Sequence, residues 1–215
     1  MEIYTYGDTQ AKIVLIQMVN AHDIAGIEQE IKEIQRLTDR KFQLSAVKVD
    51  NWNEDLSPWN AEPVFGKEGF GNGAENTLKE VLTLCNDTDK RYCIGGYSLA
   101  GLFALWSAGQ TDRFAGIAAA SPSVWFPGFM KYMQQQNMLT KCIYLSLGDK
   151  EEKTRNVVMA CVSDCIRQLY LRLKQKGIQC TLVWNQGGHF KEPNLRTARA
   201  FAWVMENSET IKDIK

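Results

Sequence analysis

One stretch constrains this chain more than any other: Ile94-Gly95-Gly96-Tyr97-Ser98-Leu99-Ala100-Gly101, a serine set among small residues between a strand-like run and a helix-like one. A strand that turns sharply into a helix brings its backbone so close to itself that flanking side chains must be tiny. The hydroxyl at the turn is left exposed at the edge of the sheet. Gly96 and Ala100 fill the flanking positions, with Ala100 where the G-x-S-x-G pattern has its last glycine and Gly101 next to it. Alanine has no atom beyond Cβ, so the turn can still close. Lys90 to Ile94 runs from polar into apolar residues as a strand would, and Leu102 to Ala108 suits a buried helix behind the turn. Ser98 is therefore the candidate nucleophile, and the free N–H groups of the helix behind it face the place where an oxyanion would form.

The rest of the chain alternates in the same way. Strands are predicted over Glu2–Tyr6, Lys12–Val19, Phe42–Val49, Arg91–Tyr97, Phe114–Ser121, Cys142–Leu147 and Gln179–Asn185. Helices are predicted over Ile24–Thr38, Ala74–Cys85, Leu99–Ala108, Gly128–Gln136, Thr154–Lys176 and Asn194–Asn207. Such alternation predicts an α/β fold, a mostly parallel sheet with helices on both faces, whose sites gather beyond the carboxyl ends of the strands. The 215 residues show no repeat or linker and are expected to form one domain, residues 1–215.

Twenty-five basic residues balance 25 acidic ones, so no net field is expected to hold nucleic acid or an anionic membrane. Met1 to Gly7 lacks the charged and apolar regions of a signal peptide, and no stretch reaches the length of a membrane-spanning helix. Cys85, Cys93, Cys142, Cys161, Cys165 and Cys180 fall within strand-like or helix-like runs and read as small core thiols. Cys161 and Cys165 share a helix face, but no histidine or second cysteine pair completes a zinc set. No metal and no cofactor is expected, and a reducing cytoplasm fits free thiols best.

A serine hydroxyl needs a base to take its proton, and the chain has two histidines. His189 lies in Gly187-Gly188-His189-Phe190, directly after the last predicted strand, where its loop leaves the same sheet edge as Ser98. The group that orients the imidazole should lie between serine and histidine in sequence. Gly148-Asp149-Lys150-Glu151-Glu152 follows a strand there. A carboxylate three residues past the glycine is placed to reach back to the histidine loop, which selects Glu151, with Asp149 and Glu152 as rivals. The long loop from Trp52 through Trp59 to Phe70 leaves the same edge, and Trp125 follows the next strand, so these aromatics are candidate walls of an apolar cleft, or, for Trp52 and Trp59, pins that hold the loop to the core.

With serine, acid and histidine in this order, the chain resembles the α/β-hydrolases, and more narrowly the esterase family that includes esterase D, feruloyl esterases and siderophore esterases. The resemblance rests on Gly96 to Gly101, Ala120-Ser121-Pro122-Ser123-Val124-Trp125-Phe126, Gly148 to Glu151 and Gly187 to Phe190. It implies a three-layer α/β-hydrolase fold without a large cap domain, and makes the residue three past the glycine the usual acid. It also implies one oxyanion donor at the Leu99 amide and a second from Ala21 or His22, in the loop after the Lys12–Val19 strand. The expected activity is hydrolysis of small carboxylic esters or thioesters through an acyl-enzyme. Acyl transfer by the same groups is the alternative, and a non-catalytic binding protein on this fold is another.

Overall fold

The computed structural model describes residues 1–208. Seven strands form one sheet: β1 (Glu2–Gly7), β2 (Ile13–Val19), β3 (Phe42–Lys48), β4 (Arg91–Tyr97), β5 (Phe114–Ala120), β6 (Cys142–Gly148) and β7 (Gln179–Asn185), in the order β1-β3-β2-β4-β5-β6-β7. β1 runs antiparallel against β3, and the other neighbours pair in parallel. The helices are α1 (Ala21–Leu37), α2 (Trp52–Asp55), α3 (Ala74–Leu82), α4 (Leu99–Ser107), α5 (Phe129–Gln135), α6 (Val157–Ala160), α7 (Val162–Gln175) and α8 (Pro193–Asn207).

A strand buried on both faces must be apolar at successive positions, and β2 shows how this serves two layers. Val14, Ile16 and Met18 join a core with α3, α4, α5 and α7, whereas Ile13, Leu15 and Val19 join a second core with α1 and α8. The result is three layers, helices over both faces of the sheet. Between β5 and β6 the chain carries a single short helix, α5.

Predicted and observed strand ends agree to within one residue, but the helices differ from expectation in four places. α3 ends at Leu82 rather than Cys85, and Trp52–Asp55, expected as part of a long loop, forms the short helix α2. α1 starts at Ala21 rather than Ile24, because Asn20 is its N-cap: the Asn20 side chain accepts from the His22 and Asp23 amides, and Asp23 accepts from the Asn20 amide. The predicted Thr154–Lys176 helix is two helices. Asn156 caps α6 through the Val158 and Met159 amides, and the chain breaks at Cys161, whose Sγ donates back to the Val158 carbonyl. Cys161 is accordingly exposed and Cys165 half-buried, their sulfurs 3.5 Å apart, so these two are not the core thiols expected; the other four are buried.

One buried polar pair departs from this apolar pattern. Gln17 of β2 donates to Glu30 Oε2 of α1 at 3.3 Å, while Gln17 Oε1 and Glu30 Oε1 have no partner among the described residues. Burial pushes the Glu30 carboxyl from 4.5 up to about 8, against a smaller opposing effect of the Gln17 hydrogen bond. The unfolded chain therefore sheds this proton at lower pH than the folded one, and stability falls as pH rises from about 4.5 to about 8. Glu30→Gln should abolish that slope, since an amide does not titrate, and it fits the site because it can accept from Gln17 and donate to Gln17 Oε1. Thermal melts should show the variant level with the parent near pH 4 and higher in Tm by roughly 5–15 °C at pH 9; parallel Tm curves would count against it.

Candidate active site

The turn between β4 and α4 has the geometry its small residues require. Ser98 sits at φ 58° and ψ −119°, a strained position for a residue with a side chain. A Cβ on Gly96 would stand 2.6 Å from the Ala100 Cβ, so one must be glycine and the other no larger than alanine. The backbone is tied into neighbouring strand ends: the Ser98 amide donates to the Ala120 carbonyl at 3.1 Å, and the Ser98 carbonyl accepts from the Ser123 amide at 3.1 Å.

Beyond the ends of β6 and β7, the structure brings Glu151 and His189 to this serine. His189 Nε2 lies 3.0 Å from Ser98 Oγ, and Nδ1 lies 2.7 Å from Glu151 Oε2. A carboxylate can only accept, so Nδ1 carries the proton and Nε2 is left as the acceptor for the serine hydroxyl. The Glu151 side chain is 4% exposed. Burial acts to raise its pKa, but the hydrogen bond and charge of His189, the Gly148 amide and the Ser121 hydroxyl outweigh it and hold the carboxyl below the usual range. The rival acids are elsewhere: Asp149 accepts from the Gly187 amide at 2.7 Å, and Glu152 is exposed.

Around this chain of three lies a shell of residues to which the sequence assigned no role. Arg196 of α8, with no exposed surface, donates to Glu151 Oε1 at 2.9 Å and to the Gly188 carbonyl at 3.0 Å. The Tyr97 hydroxyl donates to the His189 carbonyl at 2.6 Å, the Ser121 hydroxyl to Glu151 Oε1 at 2.8 Å, and Ser123 Oγ lies 3.2 Å from Ser98 Oγ. One signal was present for Arg196: it falls on the buried stripe of α8 with Ala200 and Val204, where a charge must have a partner.

The two predicted oxyanion loops also meet here. β2 and β4 pair with Gln17 beside Gly95, and three residues further along each strand come Asn20 and Ser98, so α1 and α4 start side by side. The first amides of the two helices, Ala21 and Leu99, have no acceptor within their own helices. The His22 amide is already taken by Asn20 Oδ1 at 2.8 Å, which leaves Ala21 as the better donor of the two. A cavity of about 290 Å³ opens over Ser98, lined by Asn20, His22, Trp52, Tyr97, His189 and Phe190 among others. Larger clefts lie at the start of β2 and β4 (about 750 Å³) and along the Asp50–Gly71 loop (about 800 Å³), but neither is lined by a serine, cysteine or histidine.

Of the aromatic residues expected in the cleft, Trp52 alone lines it. Trp59 donates through Nε1 to the Pro127 carbonyl at 2.8 Å and packs on Phe126 and Tyr132. Phe70 and Trp125 are buried against each other and, with Phe65 and Phe126, pin the long loop to the β5–α5 connection. Phe190 takes up the role at the rim instead, 94% exposed and in edge contact with His189. Among the described residues no group of three or more His, Cys, Asp or Glu is placed to hold a metal ion, and no helix is long and apolar enough to cross a membrane.

The layered sheet and the strand–serine–helix turn define the α/β-hydrolase fold, and comparison with solved structures shows the same. The chain is similar to the siderophore hydrolase EstA from Aspergillus nidulans (TM-score 0.65, 17% identity, covering 94% of this chain and 86% of that one). It is similar to an enterobactin hydrolase, IroE, in complex with DFP (TM-score 0.67, 16% identity, covering 94% and 88%). It also matches the enterobactin esterase FES from Shigella flexneri (TM-score 0.65, 12% identity), covering 95% of this chain and 55% of that one, so it spans about half the length of that esterase. No protein-family model and no curated protein matches the sequence.

Proposed function

We propose that this chain is a serine hydrolase of small carboxylic esters or thioesters. The observation that carries the reading is the continuous hydrogen-bonded line from Glu151 Oε2 through His189 to Ser98 Oγ, at 2.7 and 3.0 Å. Ser98 Oγ attacks the acyl carbon as His189 Nε2 takes its proton, and Glu151 stabilises the imidazolium that forms. The Leu99 and Ala21 amides receive the oxyanion. His189 returns the proton to the leaving oxygen or sulfur, and the acyl group remains on Ser98 until water, activated by the same imidazole, releases it as the acid.

The named neighbours include a siderophore hydrolase and an enterobactin hydrolase, yet the space over Ser98, about 290 Å³, lies at the low end for ligand sites. A small acyl group therefore fits the reading best, and the partner is a small-molecule ester. The free thiols suit a reducing, cytoplasmic setting. A series of p-nitrophenyl esters tests the size limit: kcat/KM should be highest for acetate to butanoate and fall by about tenfold or more at octanoate, since a chain too long for the cavity displaces the acyl carbon from Ser98 and so loses transition-state binding. A profile rising steadily to long chains would contradict a small acyl site.

A further inference from the structure

We propose that Arg196 is a positioning residue for this reaction, holding acid and base in register through one buried guanidinium; the assignment rests on the serine hydrolase reading above. Its contacts join the ends of four strands, β4 to β7, that otherwise approach the site independently. Nη1 lies 3.1 Å from the Tyr97 hydroxyl at the end of β4, 3.2 Å from Ser121 Oγ after β5, and 2.9 Å from Glu151 Oε1 after β6. Nη2 donates to the Gln186 and Gly188 carbonyls after β7, at 3.3 and 3.0 Å. Tyr97 extends the reach by accepting from Arg196 while donating to the His189 carbonyl at 2.6 Å. The guanidinium thus touches the acid directly and bears on three points of the histidine loop, at residues 186, 188 and 189.

The division of Glu151 between its neighbours shows what the cation does. Oε2 is left for His189 alone, while Oε1 accepts from Arg196, the Ser121 hydroxyl and the Gly148 amide. The carboxylate cannot rotate without breaking those three bonds, so Oε2 stays aimed at Nδ1. Close packing enforces the same placement: a Cβ on Gly148 would stand 2.3 Å from the Gly187 carbonyl, 2.9 Å from Glu151 Oε1 and 3.0 Å from Arg196 Nη1. A buried ion pair is an inefficient way to gain stability, because an apolar pair of similar volume often does as well or better. A planar fork with five donors is, in contrast, suited to bridging a carboxylate and two carbonyls at once, which a lysine ammonium cannot span.

The test uses the full chain and p-nitrophenyl acetate, with Arg196→Lys, Arg196→Met, Glu151→Gln and the double variant Glu151→Gln/Arg196→Met. Arg196→Lys keeps a buried cation beside Glu151 and so preserves the fold, and it alone decides the matter if Arg196→Met, which leaves Glu151 unpaired, does not fold. The expected result is a kcat lower by about tenfold or more for Lys and for Met, with KM within about threefold of the parent. Glu151→Gln should itself lower kcat at least about tenfold, and in that background the Met replacement should lower kcat by a clearly smaller factor, because part of what Arg196 holds is already gone. Parental kcat in Arg196→Lys, or an equal loss from Arg196→Met in both backgrounds, overturns the assignment while leaving the hydrolase reading standing. A parent chain that neither hydrolyses esters nor reacts with a fluorophosphonate overturns both.

Discussion

Ser98→Ala is expected to lower kcat for p-nitrophenyl acetate by about 10⁴-fold or more while leaving the folded chain intact. In the proposed reaction the hydroxyl at the end of the line from Glu151 through His189 is the group that bonds to the acyl carbon, and its removal leaves oxyanion donors and base without the nucleophile they assist. The effect on stability should be small, within about 1 kcal/mol. The side chain is half-buried and loses contacts to His189 Nε2 and Ser123 Oγ. Alanine adds no steric conflict at the Ser98 φ of 58° beyond the one the serine Cβ already bears. Circular dichroism and thermal melting should match the parent, so a lost rate cannot be attributed to a lost fold.

The second large effect separates the two histidines. His189→Ala should slow acylation by about 10³-fold or more, since Nε2 at 3.0 Å is the one base within reach of Ser98 Oγ among the described residues. His22→Ala should change the rate by less than about threefold. The His22 ring is exposed, and its backbone amide, bound to Asn20 Oδ1, is unaffected by the change. Single-turnover measurement of acyl transfer compares the pair directly, and the reverse ranking would move the chemistry to the start of α1.

How far the sequence goes depends on the range over which each feature is determined. The strands follow from local apolar runs, and the turn at Ser98 follows from side-chain size within six residues, Gly96 to Gly101, so both are legible in the order of the amino acids alone. Asn20 is less so: an asparagine followed by Asp23 reads equally as loop or cap, and only the paired hydrogen bonds show that α1 begins there. The break at Cys161, which ends α6 and begins α7, leaves no mark in the apolar periodicity.

Within the site, the same distinction holds. Three acids lie between Asp149 and Glu152, and their spacing from Gly148 favours Glu151 without excluding the others. What separates them in space is the Gly187 amide, which takes Asp149, and the convergence of Ser121, Gly148 and Arg196 on Glu151. The aromatics of the long loop were harder to divide, because the partner of a tryptophan is set by segments far away in sequence: Trp59 finds Pro127, while Trp52 faces the cavity. Arg196 announces itself only as a charge on a buried stripe, and its partners come from the ends of four different strands.

The measurement that bears most directly on the proposed chemistry is mass mapping of the folded chain after reaction with a fluorophosphonate. Such a reagent phosphonylates a serine only where a base and an oxyanion site activate it. One adduct per chain is expected, on the peptide carrying Ser98, absent in Ser98→Ala and formed far more slowly in His189→Ala. No adduct, or an adduct on another residue that persists in Ser98→Ala, would contradict a Ser98 nucleophile activated by His189.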